Sequence, residues 1–296
     1  MESDRLTTKQ MLLWTASAMS APLAIYGGKT SWEWTLVTGI LCVGISLLTI
    51  RYGSADYGKI LCLVQLVTLS VTAGVFSREI SACWGEVSMS MPLALLALAA
   101  LSVEKSSKSA GRVCCCVAWI AAILYALVLV VGLKNIQWPR LTATGYYDDL
   151  LIVAYLLPAV WLMLPAERSG SRWLFGMVVF GLFVSVLCFG TLSARGIEDA
   201  QLPIYQYSKS LTLLGIAERF EAVTSVALTL GLYCTLCLLL SAAEDMIKHG
   251  AVIAAVIATI NVQISTKMTV ILAVLAWIIL PLINSAKKSK KDEKSA

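Results

Sequence analysis

Charged residues are scarce in this chain. Asp, Glu, Lys and Arg make up only 14% of the 296 residues, whereas 58% are hydrophobic and the mean hydropathy is +0.81. Soluble domains usually carry about 25% charged residues and about 45–50% apolar ones. A soluble protein of this size could not cover its surface with so few charges. The composition therefore excludes a soluble enzyme, a nucleic-acid-binding protein and a disordered protein, and it predicts an integral membrane protein.

Residues that could support catalysis or metal binding are also few. The single histidine, His249, cannot build a histidine cluster, and no hydrolase triad, phosphate loop or paired catalytic carboxylates stand in a convincing context. The nine cysteines show no regular disulfide framework. Cys234 and Cys237 form a C-x-x-C inside an apolar run, and Cys114-Cys115-Cys116 favours reduced, apolar packing. We therefore expect no enzyme activity, no metal site and no cofactor.

Long apolar runs, in contrast, fill the sequence. A membrane-spanning helix needs ~20 mostly apolar residues, and about ten such runs lie between polar or Gly/Pro interruptions. This pattern predicts an all-α, single polytopic membrane domain over residues 1–296, with a basic cytoplasmic tail at 285–296. The predicted spans are 8–26, 31–50, 58–77, 87–103, 113–133, 147–165, 173–193, 220–242, 249–266 and 268–284.

Lys and Arg are distributed unequally between alternate loops. If the N-terminus is cytoplasmic, the inside segments hold 15 of the 23 Lys and Arg residues and the outside segments hold 8. Five of the inside residues are lysines of the tail. Because cytoplasmic loops carry an excess of Lys and Arg, we predict a multi-pass protein of the cell membrane with both termini in the cytoplasm.

Prolines occur at matching places in the two halves of the predicted bundle. Pro22 interrupts the first span and Pro158 interrupts the sixth. An odd number of spans per repeat makes the second repeat insert upside down, as in many secondary transporters. We therefore predict two inverted repeats of five helices, over about 8–133 and 147–284, with paired helix breaks at a binding site near the midplane. A simple proline kink in each helix is the alternative.

A charged segment opens the eighth predicted span. It reads Ile216-Ala217-Glu218-Arg219-Phe220-Glu221-Ala222 and follows a loop that contains Leu202-Pro203-Ile204-Tyr205. Together with Lys9-Gln10-Met11 and Gly28-Lys29-Thr30-Ser31-Trp32-Glu33-Trp34, it resembles the B-subunit family of spore germination proteins, the membrane-embedded components of endospore nutrient receptors. The chain departs from the family pattern before Trp32, where an acidic residue is usual, and at Tyr147-Asp148-Asp149.

The resemblance implies a fold, a ligand and partners. The family is similar to the amino acid–polyamine–organocation transporter superfamily, which implies a LeuT-like fold. It implies a subunit that binds a small germinant such as an amino acid, with larger A-type and lipoprotein C-type partner subunits, in the inner membrane of the spore. The alternative is an H⁺- or Na⁺-coupled amino acid transporter of the same superfamily. No carboxylate is evident at mid-depth in the spans, which favours binding and signalling over transport.

Candidate ligand-binding residues lie near the paired prolines and in the eighth span. Small residues let a helix backbone approach a ligand, and close helix packing favours the same residue types. Ser225 and Thr229 either line the pocket or bond to their own i−4 carbonyls. The predicted ligand-binding residues are Ser17, Ala18, Met19, Ser20, Ala21, Leu151, Ala154, Tyr155 and Ser225. Structural or gating roles are predicted for Pro22, Pro158, Glu218, Arg219 and Glu221, with Arg219 paired to a carboxylate of another loop.

Overall fold

Helices make up the part of the protein that the structure describes. The computed structural model describes residues 6, 8–26, 59–84, 90–132, 208, 211, 220–260, 271, 272, 274–279 and 283. No strand occurs among these residues. The helices are α1 (Thr8–Tyr26), α2 (Lys59–Trp84), α3 (Ser90–Lys105), α4 (Ser107–Gly132), α5 (Phe220–Met246) and α6 (Gly250–Ile260), followed by a π-helix at Leu275–Ile279.

The predicted all-α class is confirmed over the described residues. Each of the helices α1 to α6 coincides with a predicted span, and α4 and α5 are long and apolar enough to cross a membrane. The predicted spans 31–50, 147–165 and 173–193 lie outside the described residues, as does the basic tail. The ten-span count and the inverted repeat therefore stay predictions.

Helix α5 lies at the centre of the described helices. All of residues 231–243 are buried, so the helix is covered on every side. Helices α1, α2, α3, α4 and α6 all pack against it. A helix that is apolar all round is suited to such a central position, because it has no polar face to present to solvent.

Helix α1 passes through its proline without a break. The helix is continuous over Thr8–Tyr26 and contains Pro22. The predicted break of the first span is therefore wrong in this structure. Pro22 lies within a continuous helix, which is compatible with the alternative of a simple proline kink. The helix stays continuous because the Thr235 hydroxyl of α5 donates to the Ala18 carbonyl, which the missing N–H of Pro22 leaves without a helical donor.

The contacts fix the relative directions of three helices. Cys114 of α4 contacts Cys234 of α5, whereas the later Val128 packs in one apolar cluster with the earlier Phe220, so α4 and α5 run in opposite directions. Helix α1 is also opposite to α5, as the next contacts show, so α1 and α4 run in the same direction. Ala18 contacts Thr235, whereas the later Ala21 contacts the earlier Gly231, so α5 runs the opposite way. Helices α1, α4 and α5 coincide with the first, fifth and eighth predicted spans. If successive spans cross a membrane in alternate directions, the first and fifth run the same way and the eighth runs the opposite way.

A tight turn of residues 247–249 joins α5 to α6. His249 has a φ of +63°, in the left-handed region. The next residue is Gly250, and a Cβ at that position would overlap the carbonyl oxygen of Ala243. The backbone of the α6 start therefore packs directly onto the last turns of α5.

The carboxylate of Glu244 holds the start of α6. It accepts hydrogen bonds from the backbone N–H groups of His249 (3.1 Å) and Ala251 (3.0 Å). A carboxylate at this end of a helix satisfies free N–H groups and favours the helix dipole. The His249 ring nitrogen Nδ1 lies 3.0 Å from Glu104 Oε1, which ties the turn to the end of α3.

Candidate functional site

The run of small residues in α1 lies buried against α5. Residues 17–21 are all buried, and so is Pro22. A Cβ added to Gly231 would lie 2.7 Å from Ala21 Cβ and 2.8 Å from Ser20 Oγ. Gly231 therefore allows the two backbones to approach more closely than any larger residue would. The structure thus places the predicted residues Ala18, Ser20 and Ala21 at the α1–α5 contact, and Ser17 and Met19 are buried in the same run.

A threonine of α5 compensates for Pro22. Proline has no N–H, so the carbonyl four residues earlier, that of Ala18, has no helical donor. The Thr235 hydroxyl donates a hydrogen bond to this carbonyl across the helix contact. The same hydroxyl oxygen lies 3.0 Å from the Gly231 carbonyl of its own helix. Because a hydroxyl carries a single hydrogen, the two carbonyls share one donor.

The two serines of the run differ in their hydrogen bonding. Ser20 Oγ donates to the Ser17 carbonyl at 2.6 Å. Ser17 Oγ has no hydrogen-bond partner among the described residues, and only 5% of the residue is exposed. A buried polar group without a partner costs about 1–3 kcal/mol. The run of α1 that packs on α5 therefore contains one buried hydroxyl that a ligand could satisfy.

Ser225 lies further along α5, toward its beginning. It is buried, and it precedes Gly231 by six residues, which is about 9 Å along the helix axis. Thr229 donates to the Ser225 carbonyl at 2.7 Å, and this i−4 bond is one of the two predicted alternatives. The Thr229 oxygen also accepts a hydrogen bond from Trp84 Nε1 at 2.9 Å. The hydroxyl of Thr229 is thus fully engaged in structural bonds.

The predicted gating residues are described only in part. Glu221 is half-buried in the first turn of α5, where a carboxylate favours the helix dipole. Glu218 and Arg219 lie outside the described residues. The predicted residues of the sixth span also lie outside them, namely Leu151, Ala154, Tyr155 and Pro158. The predicted pair of proline-containing helices is therefore described on the α1 side alone.

The structure unites two cysteine motifs that the sequence presents separately. Cys114 of α4 lies against Cys234 and Cys237 of α5, and the Cys234 thiol is 3.8 Å from the Cys114 carbonyl oxygen. All three are buried and free of disulfides. No group of His, Cys, Asp and Glu in the described part of the chain is arranged to hold a metal ion. The three thiols pack as small apolar side chains.

Sequence reasoning missed Gly231 and Thr235 as partners of the small-residue run. The two are four residues apart, so they occupy one face of α5. Close helix pairs in membranes use such small residues at a spacing of four. This spacing is the signal that could have identified them. No model of a known protein family matches the chain, and no curated protein matches it either.

Proposed function

We propose that this chain is a polytopic membrane protein that binds a small molecule at the α1–α5 contact. The distribution of polar and apolar side chains supports the membrane setting. Trp119 and Ile123 of α4 are 63% and 65% exposed, whereas Gln65 and Thr72 of α2 are fully buried. In soluble proteins, Gln and Thr side chains are mostly exposed, and large apolar patches on the surface are uncommon. Lipid acyl chains are the surroundings in which such an outer surface is stable.

The observation that carries ligand binding is the unpaired Ser17 hydroxyl. It lies in the run of small residues that contacts α5, five residues before Pro22. Inside a membrane no water is at hand to satisfy such a group. A ligand with a hydrogen-bonding group, such as an amino acid, would replace the missing partner. Ligand binding would then favour one arrangement of α1 against α5 over another.

The specific role that we propose is that of the ligand-binding subunit of a spore nutrient germinant receptor. It is supported by the segment at 216–222, which leads into α5. Because α5 contacts most of the other described helices, a shift at α1 could pass through α5 to partner subunits. These partners would be the A-type and C-type subunits, in the inner membrane of the spore, with both termini of this chain in the cytoplasm.

A binding experiment with a matched pair of serine variants tests the site. Ser241 is the control, because its hydroxyl is also buried without a partner but lies ten residues beyond Gly231 on α5. With purified protein and a panel of amino acids, we expect Ser17→Ala to weaken binding of the active ligand roughly fivefold, the value of one hydrogen bond. Ser241→Ala should leave that binding unchanged. Equal losses in both variants, or none in either, would refute the site.

Two further measurements test the role. Spores that carry Ser17→Ala should need a higher concentration of the same amino acid to germinate, whereas spores with Ser241→Ala should respond normally. Proteoliposomes that hold the purified chain should not accumulate the labelled amino acid. Accumulation driven by an H⁺ or Na⁺ gradient would instead identify a coupled transporter.

A further inference from the structure

Helix α2 carries a buried polar face that the α1–α5 site does not use. Gln65, Thr68 and Thr72 are spaced by three and four residues, so they lie on one side of the helix. All three are fully buried. Gly74 faces α6, where an added Cβ would lie 2.9 Å from the Ala258 carbonyl oxygen. Gly74 is two residues from Thr72, about 200° around the helix, so the contact with α6 lies on the other side of α2.

The side-chain amide of Gln65 is only half satisfied. Its Nε2 donates to the Ala276 carbonyl at 3.4 Å, within the π-helix Leu275–Ile279. A carbonyl can only accept, so the amide nitrogen must face it, and this fixes the orientation of the amide. Gln65 Oε1 is then left buried, with no hydrogen-bond partner in the part of the chain that the structure describes. The π-helix is a further sign of a specialised site, since such segments are frequent at functional positions.

The hydroxyl hydrogens of Thr68 and Thr72 are both used in hydrogen bonds to carbonyls of α2. Thr68 Oγ1 donates to the Val64 carbonyl at 2.8 Å, and Thr72 Oγ1 donates to the Thr68 carbonyl at 2.7 Å. Each hydroxyl has a single hydrogen, and it is used in these bonds. The remaining hydrogen-bonding capacity of both hydroxyls consists of acceptor lone pairs.

The polar face of α2 therefore offers acceptors and few donors. A primary ammonium group has three N–H donors and no acceptor, which complements such a face. Hydrogen bonds to a charged donor are also stronger than those between neutral groups. We propose that Gln65, with Thr68 beside it, forms a subsite for a primary ammonium group, on a different helix from Ser17. Gln65 Oε1 accepts the first hydrogen bond from the ammonium.

Methylammonium and tetramethylammonium are the probes that test this subsite. Both carry one positive charge, but the second has no N–H group. Bound ligand stabilises the folded state, so thermal unfolding of the purified chain reports binding. We expect methylammonium to raise the melting temperature in a saturable manner and tetramethylammonium to leave it unchanged. If both cations act equally, or if methylammonium has no effect, the subsite does not exist.

Three variants of α2 locate the effect. Gln65→Leu should weaken methylammonium binding about tenfold or more, because a hydrogen bond to a charged group is lost. Thr68→Val keeps the side-chain shape and should weaken binding roughly threefold. Ser70→Ala is the control, since Ser70 is also buried and donates to its own i−4 carbonyl, that of Leu66. It should bind as the parent chain does.

The variants also separate this inference from the proposed function. If Gln65→Leu does not fold, the comparison of methylammonium binding between Thr68→Val and Ser70→Ala tests the subsite. Unchanged binding in Thr68→Val refutes it. Ser17→Ala should leave methylammonium binding intact, because Ser17 lies on another helix. If Ser17→Ala loses amino acid binding but keeps methylammonium binding, the α1–α5 site and the subsite on α2 are separate. A loss of both in Ser17→Ala would contradict a separate subsite.

Discussion

The carbonyl oxygen of Ala18 has lost its helical donor, because Pro22 has no N–H. Thr235 restores the bond from another helix. Gln65 acts in a similar way when it donates to the Ala276 carbonyl of the π-helix. In both places an irregular stretch of backbone is satisfied by a side chain from a neighbouring helix. Membrane proteins tolerate proline and π-helical backbone on this condition.

Replacement of Thr235 by valine tests this role of its hydroxyl. Valine has nearly the same shape but cannot donate, so the Ala18 carbonyl would be buried without a partner. We expect Thr235→Val to lower the free energy of unfolding by about 1–2 kcal/mol, measured as thermal unfolding of the purified protein. In a Pro22→Ala background, residue 22 supplies its own N–H to the Ala18 carbonyl, so the same substitution should cost much less. An equal loss in both backgrounds would contradict the role of Thr235.

Individual residues of the site could be predicted from sequence only where the signal is local. Pro22 and the small residues before it stand together in the chain, so the run was predictable and the structure buries all of it. Thr235 lies 217 residues from Ala18, and no local pattern links the two. The unpaired state of Ser17 also depends on the packing of other helices, which the sequence does not specify.

At the scale of whole elements, the apolar runs locate the helices well but misplace some of their ends. The third span is predicted to end at residue 77, before Arg78, yet α2 continues to Trp84. Arg78 Nε donates to the Gly74 carbonyl of its own helix at 3.3 Å. A long charged side chain can follow its helix to a polar region while the backbone stays helical. A charge in the sequence therefore marks the edge of the apolar region rather than the end of the helix.

The junction of α5 and α6 depends on a single glycine. A Cβ at residue 250 would overlap the Ala243 carbonyl, and backbone atoms cannot yield as a flexible side chain does. We expect Gly250→Ala to lower the free energy of unfolding by about 1–3 kcal/mol, as other overpacked positions do. Lys248→Ala is the control, since Lys248 is exposed in the same turn and should change stability by less than about 0.5 kcal/mol. If Gly250→Ala and the parent chain give the same unfolding curve, the backbone at the junction shifts to accept the added Cβ, and the prediction is wrong.

For the molecule as a whole, composition and apolar runs predicted the helical class, which the described residues confirm, and a membrane setting, for which α4 and α5 are long and apolar enough. They could not predict that α5 is the central helix, because several predicted spans are equally apolar and the choice of neighbours depends on the fit of opposing surfaces. The observed directions of α1, α4 and α5 agree with the order in which the predicted spans alternate across a membrane. The membrane topology itself stays a prediction.

Reporter fusions can test that topology across the described helices. Lys105, Lys108 and Arg112 lie where α3 ends and α4 begins, so the positive-inside rule predicts a cytoplasmic junction. Green fluorescent protein inserted after Lys105 or Lys248 should therefore fluoresce in cells. Alkaline phosphatase, which is active only outside the cytoplasm, should be active after Trp84 or Gly132 and inactive after Lys105. The reverse pattern would invert the orientation, and fluorescence at all four positions would show that these helices do not cross the membrane.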